Sequence, residues 1–410
     1  MAGFSESKNV TIFGGGNGAH VLAGTSSLVK NAHVTVVDTF QDEAERWTNA
    51  MAANGFTMKY SNGQTKSQPA GAVNFKVTKE VEANVRNADI VILCMPAFLH
   101  EMVLTNIASY LQDKCVLVGL PGQAGFEYQA LAILREHGKK CSVVSIETLP
   151  WACRIVKYGQ EVEVLGTKEE IYASQIEQIK SKDTDSNSSP MGQVQTILGP
   201  KPVLKREMNI IKYTFLYRPT VHPPIMYAKW KNWDGKPLET APLFYQGVDE
   251  EAVKYLDGAT NEMIEVANVL ASKYPNMDFS GISPMKECFI GEYPDQIEDK
   301  QTLLSCLKTN RAYDGLVHPM KKTADGKLEP DFKYRYLMED VPYGLLIIRQ
   351  IAGMVEVRTP LIDEIIVWAQ AKLGTEYMKD GKLCFVDRKH GRLPMAYGIN
   401  TIEEFVNFFE

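Results

Sequence analysis

Three stretches of the chain hold residues whose types and spacing can do chemistry. The first is Lys8-Asn-Val-Thr-Ile-Phe-Gly-Gly-Gly-Asn-Gly-Ala-His20. Its frame Gly14-x-Gly16-x-x-Ala19 has the spacing of a dinucleotide-binding turn. Gly14 lets the backbone reverse, Gly16 lets a pyrophosphate approach, and Ala19 is small enough for the next helix to sit close on a sheet. Gly15, Asn17 and Gly18 complete the turn, and the N–H groups at the helix start face the phosphates with the helix dipole assisting. The other two stretches are Arg218-Pro-Thr-Val-His222-Pro-Pro-Ile-Met226 and Tyr334-Arg335-Tyr336-Leu-Met-Glu-Asp340-Val-Pro342. Local sequence leaves both open: His222 precedes two prolines and could merely cap a helix, and Arg335 could pair with Glu339 one turn on.

The elements that must position these residues are readable in order. Val10 to Phe13 is a short apolar strand, and Ala19 to Lys30 can be helical. A second apolar run, His33-Val-Thr-Val-Val-Asp38, ends in an acid placed to accept both hydroxyls of an adenosine ribose. The alternative readings are a structural turn and a solvated strand-end acid. Strand, turn, helix, strand and acid in register favour the nucleotide. Thr39 and Phe40 follow Asp38, so no adjacent arginine stands ready for a 2′-phosphate, and Arg46 is the nearest one downstream. NAD(H) is therefore expected over NADP(H).

Beyond Asp38 the β-α grammar repeats. Asp42 to Ala53 reads as a helix, Ala72 to Thr78 as a strand, Glu80 to Arg86 as a short helix and Ala88 to Pro96 as a buried parallel strand. Met95 to His100 then forms a loop on the ligand edge, where His100 is a loop histidine near the nucleotide rather than a catalyst. A helix through Ile107 to Leu111, a strand Cys115 to Leu120, a helix Phe126 to His137 and a strand Cys141 to Ile146 follow. Glu147 lies past that last strand, placed either to hold a cationic part of a substrate or to sit in solvent. Extra strands are expected at Val162 to Leu165 and Val194 to Leu198 around a helix, Lys168 to Ile179, with Ser181 to Pro190 as an exposed loop. The fold class is thus α/β: a Rossmann-type doubly wound parallel sheet over residues 1–202, then a mostly α-helical second domain over 203–410, with the hinge near 203. In the second half, helical spacing runs through Val253 to Lys273, Gln301 to Leu307, Tyr343 to Val355 and Pro360 to Leu373.

Composition excludes several classes. At 410 residues the chain fits two domains, and 45% hydrophobic with 23% charged residues describes a soluble globular protein. A net charge of −6 gives no basic face for nucleic acid or an anionic membrane. Seven cysteines, an odd number scattered without CxxC pairs, read as reduced core residues and give no metal site. The start Met1-Ala-Gly-Phe-Ser-Glu-Ser has no apolar signal core, so the cytoplasm is expected.

Together the glycine turn with Asp38, the His222-Pro223 entry to a helical domain and the Arg335 to Asp340 stretch resemble the opine dehydrogenases, the octopine dehydrogenase type of invertebrates. The resemblance implies a NADH-dependent reductive condensation of pyruvate with an amino acid or taurine, regenerating NAD in anaerobic glycolysis. It implies His222 as the acid/base, Asp340 as the carboxylate near it, and Arg335 as the clamp for the carboxylate of pyruvate. Histidine suits proton exchange near neutrality, a carboxylate orients its ring, and a guanidinium matches a carboxylate with two parallel hydrogen bonds. With the nucleotide on one domain and His222 and Arg335 on the other, catalysis is expected to need the domains to close.

In the arginine-using members the guanidinium rests against a methionine and a tryptophan as well as acids. The resemblance places Leu216 and Cys288 there, which removes the cation–π surface and implies a smaller amino partner such as glycine, alanine, β-alanine or taurine. Glu147, if it lines the pocket, argues for a cationic one. The partners are these small molecules, and a monomer or small homo-oligomer is expected. The rival readings are a glycerol-3-phosphate or hydroxy-acid dehydrogenase, which would turn over one carbon substrate, and an NAD(H)-sensing binding protein without turnover.

Overall fold

The computed structural model describes residues 3–179 and 188–409. Contacts group the chain into two compact units, one running to Tyr213 and the other from Thr214 to Phe408. The hinge expected near residue 203 falls at the start of a strand, Val203–Arg206, that is hydrogen-bonded to its neighbour in the main sheet.

The first unit opens with β1 (Gly3–Phe13), α1 (Asn17–Ser26), β2 (Lys30–Val37) and α2 (Glu43–Asn54). Next come β3 (Phe56–Tyr60), β4 (Thr65–Gln68), β5 (Phe75–Thr78), α3 (Glu82–Arg86), β6 (Ile90–Leu93) and α4 (His100–Ile107). Then follow β7 (Val116–Gly119), α5 (Phe126–Glu136), β8 (Ser142–Ile146), β9 (Trp151–Lys157), β10 (Glu161–Thr167), β11 (Glu170–Ile176), α6 (Pro190–Leu198) and β12 (Val203–Arg206). One sheet has the order β12-β11-β8-β7-β6-β1-β2-β5, parallel from β8 to β5, with β11 antiparallel to β8. β6, β7 and β8 are buried at every position, as parallel strands covered on both faces must be. A second sheet, β4-β3-β10-β9, packs on α1.

Two expected elements exchange their types. The helix expected over Lys168 to Ile179 is instead β11, where Ile171 and Ala173 are buried two apart and the strand pairs with β8 and β12. Alternation outweighs the helix formers at its start. The strand expected over Val194 to Leu198 is the end of α6. Ser189 caps that helix by accepting from the Gly192 amide at 3.0 Å, Pro190 opens it, and Val194, Ile197 and Leu198 are buried at helical spacing. The helix expected through Ile107 to Leu111 begins earlier, as α4, because the expected loop at Met95 to His100 tightens into a 3₁₀ turn that feeds it, and over Ala108–Tyr110 it continues only as a 3₁₀ turn. Of the expected exposed loop, positions 181–187 lie outside the described residues.

The division between units falls inside α7 (Ile210–Leu216). The second unit is then mostly helical: α8 (His222–Trp230), α9 (Glu250–Lys273), α10 (Met285–Glu292), α11 (Leu303–Thr309), α12 (Arg335–Met338), α13 (Leu346–Met354), α14 (Pro360–Leu373) and α15 (Ile402–Asn407). Asp249 caps α9 by accepting from the Ala252 amide at 2.8 Å, and α9 packs on α8, α13 and α14. α12 and α13 are joined by a widened turn, Val341–Leu345, in which the Leu345 amide donates to the Asp340 carbonyl at 2.8 Å and Tyr343 leaves helical geometry at φ −113°. No helix among the described residues is long and apolar enough to cross a membrane.

Candidate active site

In the first unit the glycine turn needs its glycines. Gly14 has φ +127°, and a Cβ on it would stand 2.3 Å from the Cys94 carbonyl oxygen. A Cβ on Gly15 would stand 1.9 Å from Asp38 Oδ2, so only glycine lets this acid sit beneath the turn. Asp38 is buried; its Oδ1 accepts from the Phe40 amide at 3.0 Å, and Oδ2 has no hydrogen-bond partner among the described residues. A buried orphan acceptor at the end of β2 fits a pair of ribose hydroxyls. Glu43 approaches the same glycine, and burial together with the Asp38 carboxylate pushes its carboxyl above the ordinary range. Arg46 is already engaged: it pairs with Asp42 at 3.1 Å and Glu43 at 3.5 Å, and its guanidinium lies over the Tyr158 ring at 4.7 Å. A 2′-phosphate would thus meet two acids and an occupied arginine.

The turn is laced to the second sheet by two side chains. Asn17 Oδ1 accepts from the Ile155 amide at 2.8 Å. The Gly159 amide donates to Nε2 of His20 at 3.1 Å, which fixes the proton on Nδ1, and Nδ1 in turn donates to the Gly16 carbonyl at 3.0 Å. His20 stacks on Trp47 with centroids 3.6 Å apart, and burial holds its pKa down at about 4. Gly18 and Ala19 are buried within α1.

In the second unit the first turn of α8 presents His222. Nδ1 donates to Asp340 Oδ2 at 2.6 Å, although the two residues lie 118 apart in sequence. The other oxygen of Asp340 accepts from the Tyr217 hydroxyl at 2.6 Å. Burial, then the Asp340 carboxylate, push that hydroxyl well above its ordinary pKa, so it remains a donor. Nε2 of His222 meets the Tyr245 hydroxyl at 2.9 Å, and the Tyr336 ring lies flat on the imidazole at 4.0 Å. Arg335 stands at the start of α12, in electrostatic range of Tyr217 and Asp340. Its Nε pairs with Glu339 at 3.1 Å, so the one-turn couple is present, and its side chain remains 56% exposed. His222, Asp340 and Arg335 therefore share one cluster, able to move a proton at Nε2 beside a guanidinium that fits a carboxylate.

The remaining expected residues are placed as follows. Glu147 is half-buried, its Oε2 accepting from the Tyr172 amide at 3.3 Å beside β11. Leu216 and Cys288 are buried in α7 and α10, and the Cys288 thiol donates to the Ser283 carbonyl at 3.4 Å. One turn beyond Cys288, Glu292 pairs with Arg218 at 2.7 Å. His100 is a core residue, with Nε2 3.2 Å from the Met95 carbonyl and its edge on Phe126. Tyr245 and Tyr336, which contact His222, Tyr217, which holds Asp340, and Glu43 and His20 at the turn were not singled out from sequence. Tyr217 and Tyr336 adjoin motif residues, which is a usable signal; Tyr245 carries none.

The family described as NAD/NADP octopine/nopaline dehydrogenase, alpha-helical domain, matches residues 208–373. An opine dehydrogenase of Haliotis discus hannai is 42% identical over 403 residues, covering 97% of this chain and 98% of that protein. The chain belongs to the opine dehydrogenase family. A tauropine dehydrogenase of Arabella iricolor is 39% identical, covering 97% of this chain and 99% of the relative. Among solved structures, octopine dehydrogenase with NADH and L-arginine superposes with a TM-score of 0.85 at 39% identity, over 97% of this chain and 98% of that one. The same enzyme with NADH and pyruvate gives 0.82 at 38% identity, over 98% of each chain. This opine dehydrogenase is thus an NAD-dependent oxidoreductase with a Rossmann-like sheet and an α-helical C-terminal domain.

Proposed function

We propose that this opine dehydrogenase joins pyruvate to a compact amino partner, with glycine, alanine, β-alanine and taurine as the candidates, and that His222, Asp340 and Arg335 carry the condensation. The observation that carries this reading is the 2.6 Å bond between His222 and Asp340, with Arg335 five positions before that aspartate.

Arg335 binds the carboxylate of pyruvate through two parallel hydrogen bonds, and five donors let it do so while keeping Glu339. With Nδ1 committed to Asp340, Nε2 is the ring nitrogen left to give a proton to the departing oxygen as the amine adds. Asp340 steadies the protonated ring and keeps its orientation, and Tyr217 holds Asp340 in turn. NADH, when bound, supplies the hydride that reduces the imine. Asp38 would take the adenosine ribose, and Gly14 to Ala19 the pyrophosphate.

For the amino partner, Leu216 and Cys288 offer no aromatic face to a cation, and the nearby guanidinium of Arg218 is already matched by Glu292. A small or zwitterionic partner fits this better than arginine, and a tauropine dehydrogenase stands among the relatives. NADH oxidation followed with pyruvate alone, each amine alone and each pair tests the reading. Turnover is expected only with pairs, and with the compact amines above arginine. Oxidation that needs no amine overturns the condensation, and arginine as the best partner overturns the substrate assignment alone.

A further inference from the structure

Tyr245 has no place in the reading so far, yet it occupies the nitrogen through which His222 must work. Its hydroxyl lies 2.9 Å from Nε2. The imidazole cannot turn away: Asp340 holds Nδ1 at 2.6 Å, and Tyr336 covers one face at 4.0 Å with the two planes 4° apart. Tyr245 is held as firmly. Its ring stacks on Tyr313 at 3.9 Å and meets Phe244 edge-on at 4.8 Å. The segment that carries it is fixed by the Phe244 amide on the Leu316 carbonyl at 2.8 Å and by the His318 amide on the Pro242 carbonyl at 2.9 Å. Two rings are clamped, and the parts free to move between them are the proton and the phenolic O–H rotor.

We propose that Tyr245 is a further catalytic residue of this enzyme, relaying the proton between Nε2 of His222 and the oxygen that leaves during imine formation. The inference rests on His222 as the acid. In the dehydration step the phenol gives its proton to the hydroxyl of the carbinolamine formed from pyruvate and the amine, and takes the Nε2 proton of protonated His222 in its place. The C–O bond breaks, its electron pair leaves with water, and the nitrogen lone pair closes the C=N bond. His222 ends neutral, its Nδ1 still carrying the proton it donates to Asp340, and Tyr245 ends as it began. Burial, then the neighbouring tyrosines, push the Tyr245 hydroxyl well above its ordinary pKa, which suits a neutral relay rather than a phenolate base. In the reverse direction the same path returns the proton as water adds.

The test is Tyr245→Phe, which removes one oxygen and keeps both ring contacts. The relay predicts kcat lower by about 10- to 100-fold in both directions, with NADH affinity and the KM for pyruvate held within roughly twofold. It also predicts that a solvent isotope titration, curved in the wild type because two protons move, becomes linear in the variant. An unchanged kcat overturns it. If the phenylalanine variant does not fold, 3,5-difluorotyrosine at 245 keeps the shape and makes the phenol more acidic. A several-fold change in kcat then supports the relay, and an unchanged kcat overturns it. His222→Ala separates the two levels: a dead His222 variant beside a fully active Tyr245→Phe removes the relay alone, whereas an active His222 variant removes the acid itself.

Discussion

The rings of His222 and Tyr336 lie 4.0 Å apart with their planes 4° from parallel, so one face of the proposed acid is closed by the aromatic residue that follows Arg335 in α12. The contact fixes the imidazole against rotation and leaves its in-plane nitrogens to do the chemistry. Replacing Tyr336 with Leu should lower kcat by about tenfold, in keeping with the cost of a misplaced catalytic group, while NADH titration stays as in the wild type. Steady-state kinetics in both directions checks it.

Asp340→Asn should be far more severe. The amide cannot accept from Nδ1 and from Tyr217 as a carboxylate does, so it favours the wrong tautomer and leaves the protonated ring unsupported. A fall in kcat of about 10²- to 10⁴-fold is expected, with NADH binding followed by fluorescence nearly unchanged. An equal loss of NADH affinity would place Asp340 in binding instead.

At the nucleotide turn, Gly15→Ala should abolish measurable NADH binding or weaken it by more than tenfold, because the added carbon would stand 1.9 Å from Asp38 Oδ2 and must displace that acid. If Asp38 takes the ribose as proposed, Asp38→Ala should narrow the preference for NADH over NADPH, since it removes a carboxylate that would repel a 2′-phosphate. Calorimetric titration with each nucleotide separates the two effects.

Stability should fall in mild acid. His20 has its pKa lowered from 6.5 to about 4 by burial, so the unfolded chain binds this proton first as pH drops. The native state therefore holds its full advantage above pH 6.5, loses it between 6.5 and 4, and loses no more to this residue below 4. The total is of the order of 3 kcal/mol. His318, which accepts from the Trp230 indole at 3.1 Å and is lowered to about 3 by burial and then Lys229, acts in the same direction. Urea unfolding at a series of pH values should show this slope, and His20→Gln should flatten part of it.

The strand, glycine turn and helix, with Asp38 beside the turn, were legible in sequence because the device is local: strand, glycines and acid stand close together in the chain. α14 was legible to the residue, with Pro360 opening it and Gly374 in the left-handed conformation closing it. β11 and α6 were misread where helix formers and β-branched residues argued against the caps and pairing that decide the outcome. The His222 cluster was legible only in part. Tyr245 meets His222 because separate segments pack together, and nothing in Pro242 to Gln246 marks a partner for an imidazole.

The widened turn at Val341–Leu345 carries one residue more than a regular helix would need. Deleting a single residue there would turn everything that follows by about 100° relative to α12, the rotation each residue makes in a regular helix. Asp340 is the last residue before this turn, so the carboxylate that meets the imidazole sits at the seam where α12 hands over to α13, and the extra residue sets how the two helices face each other.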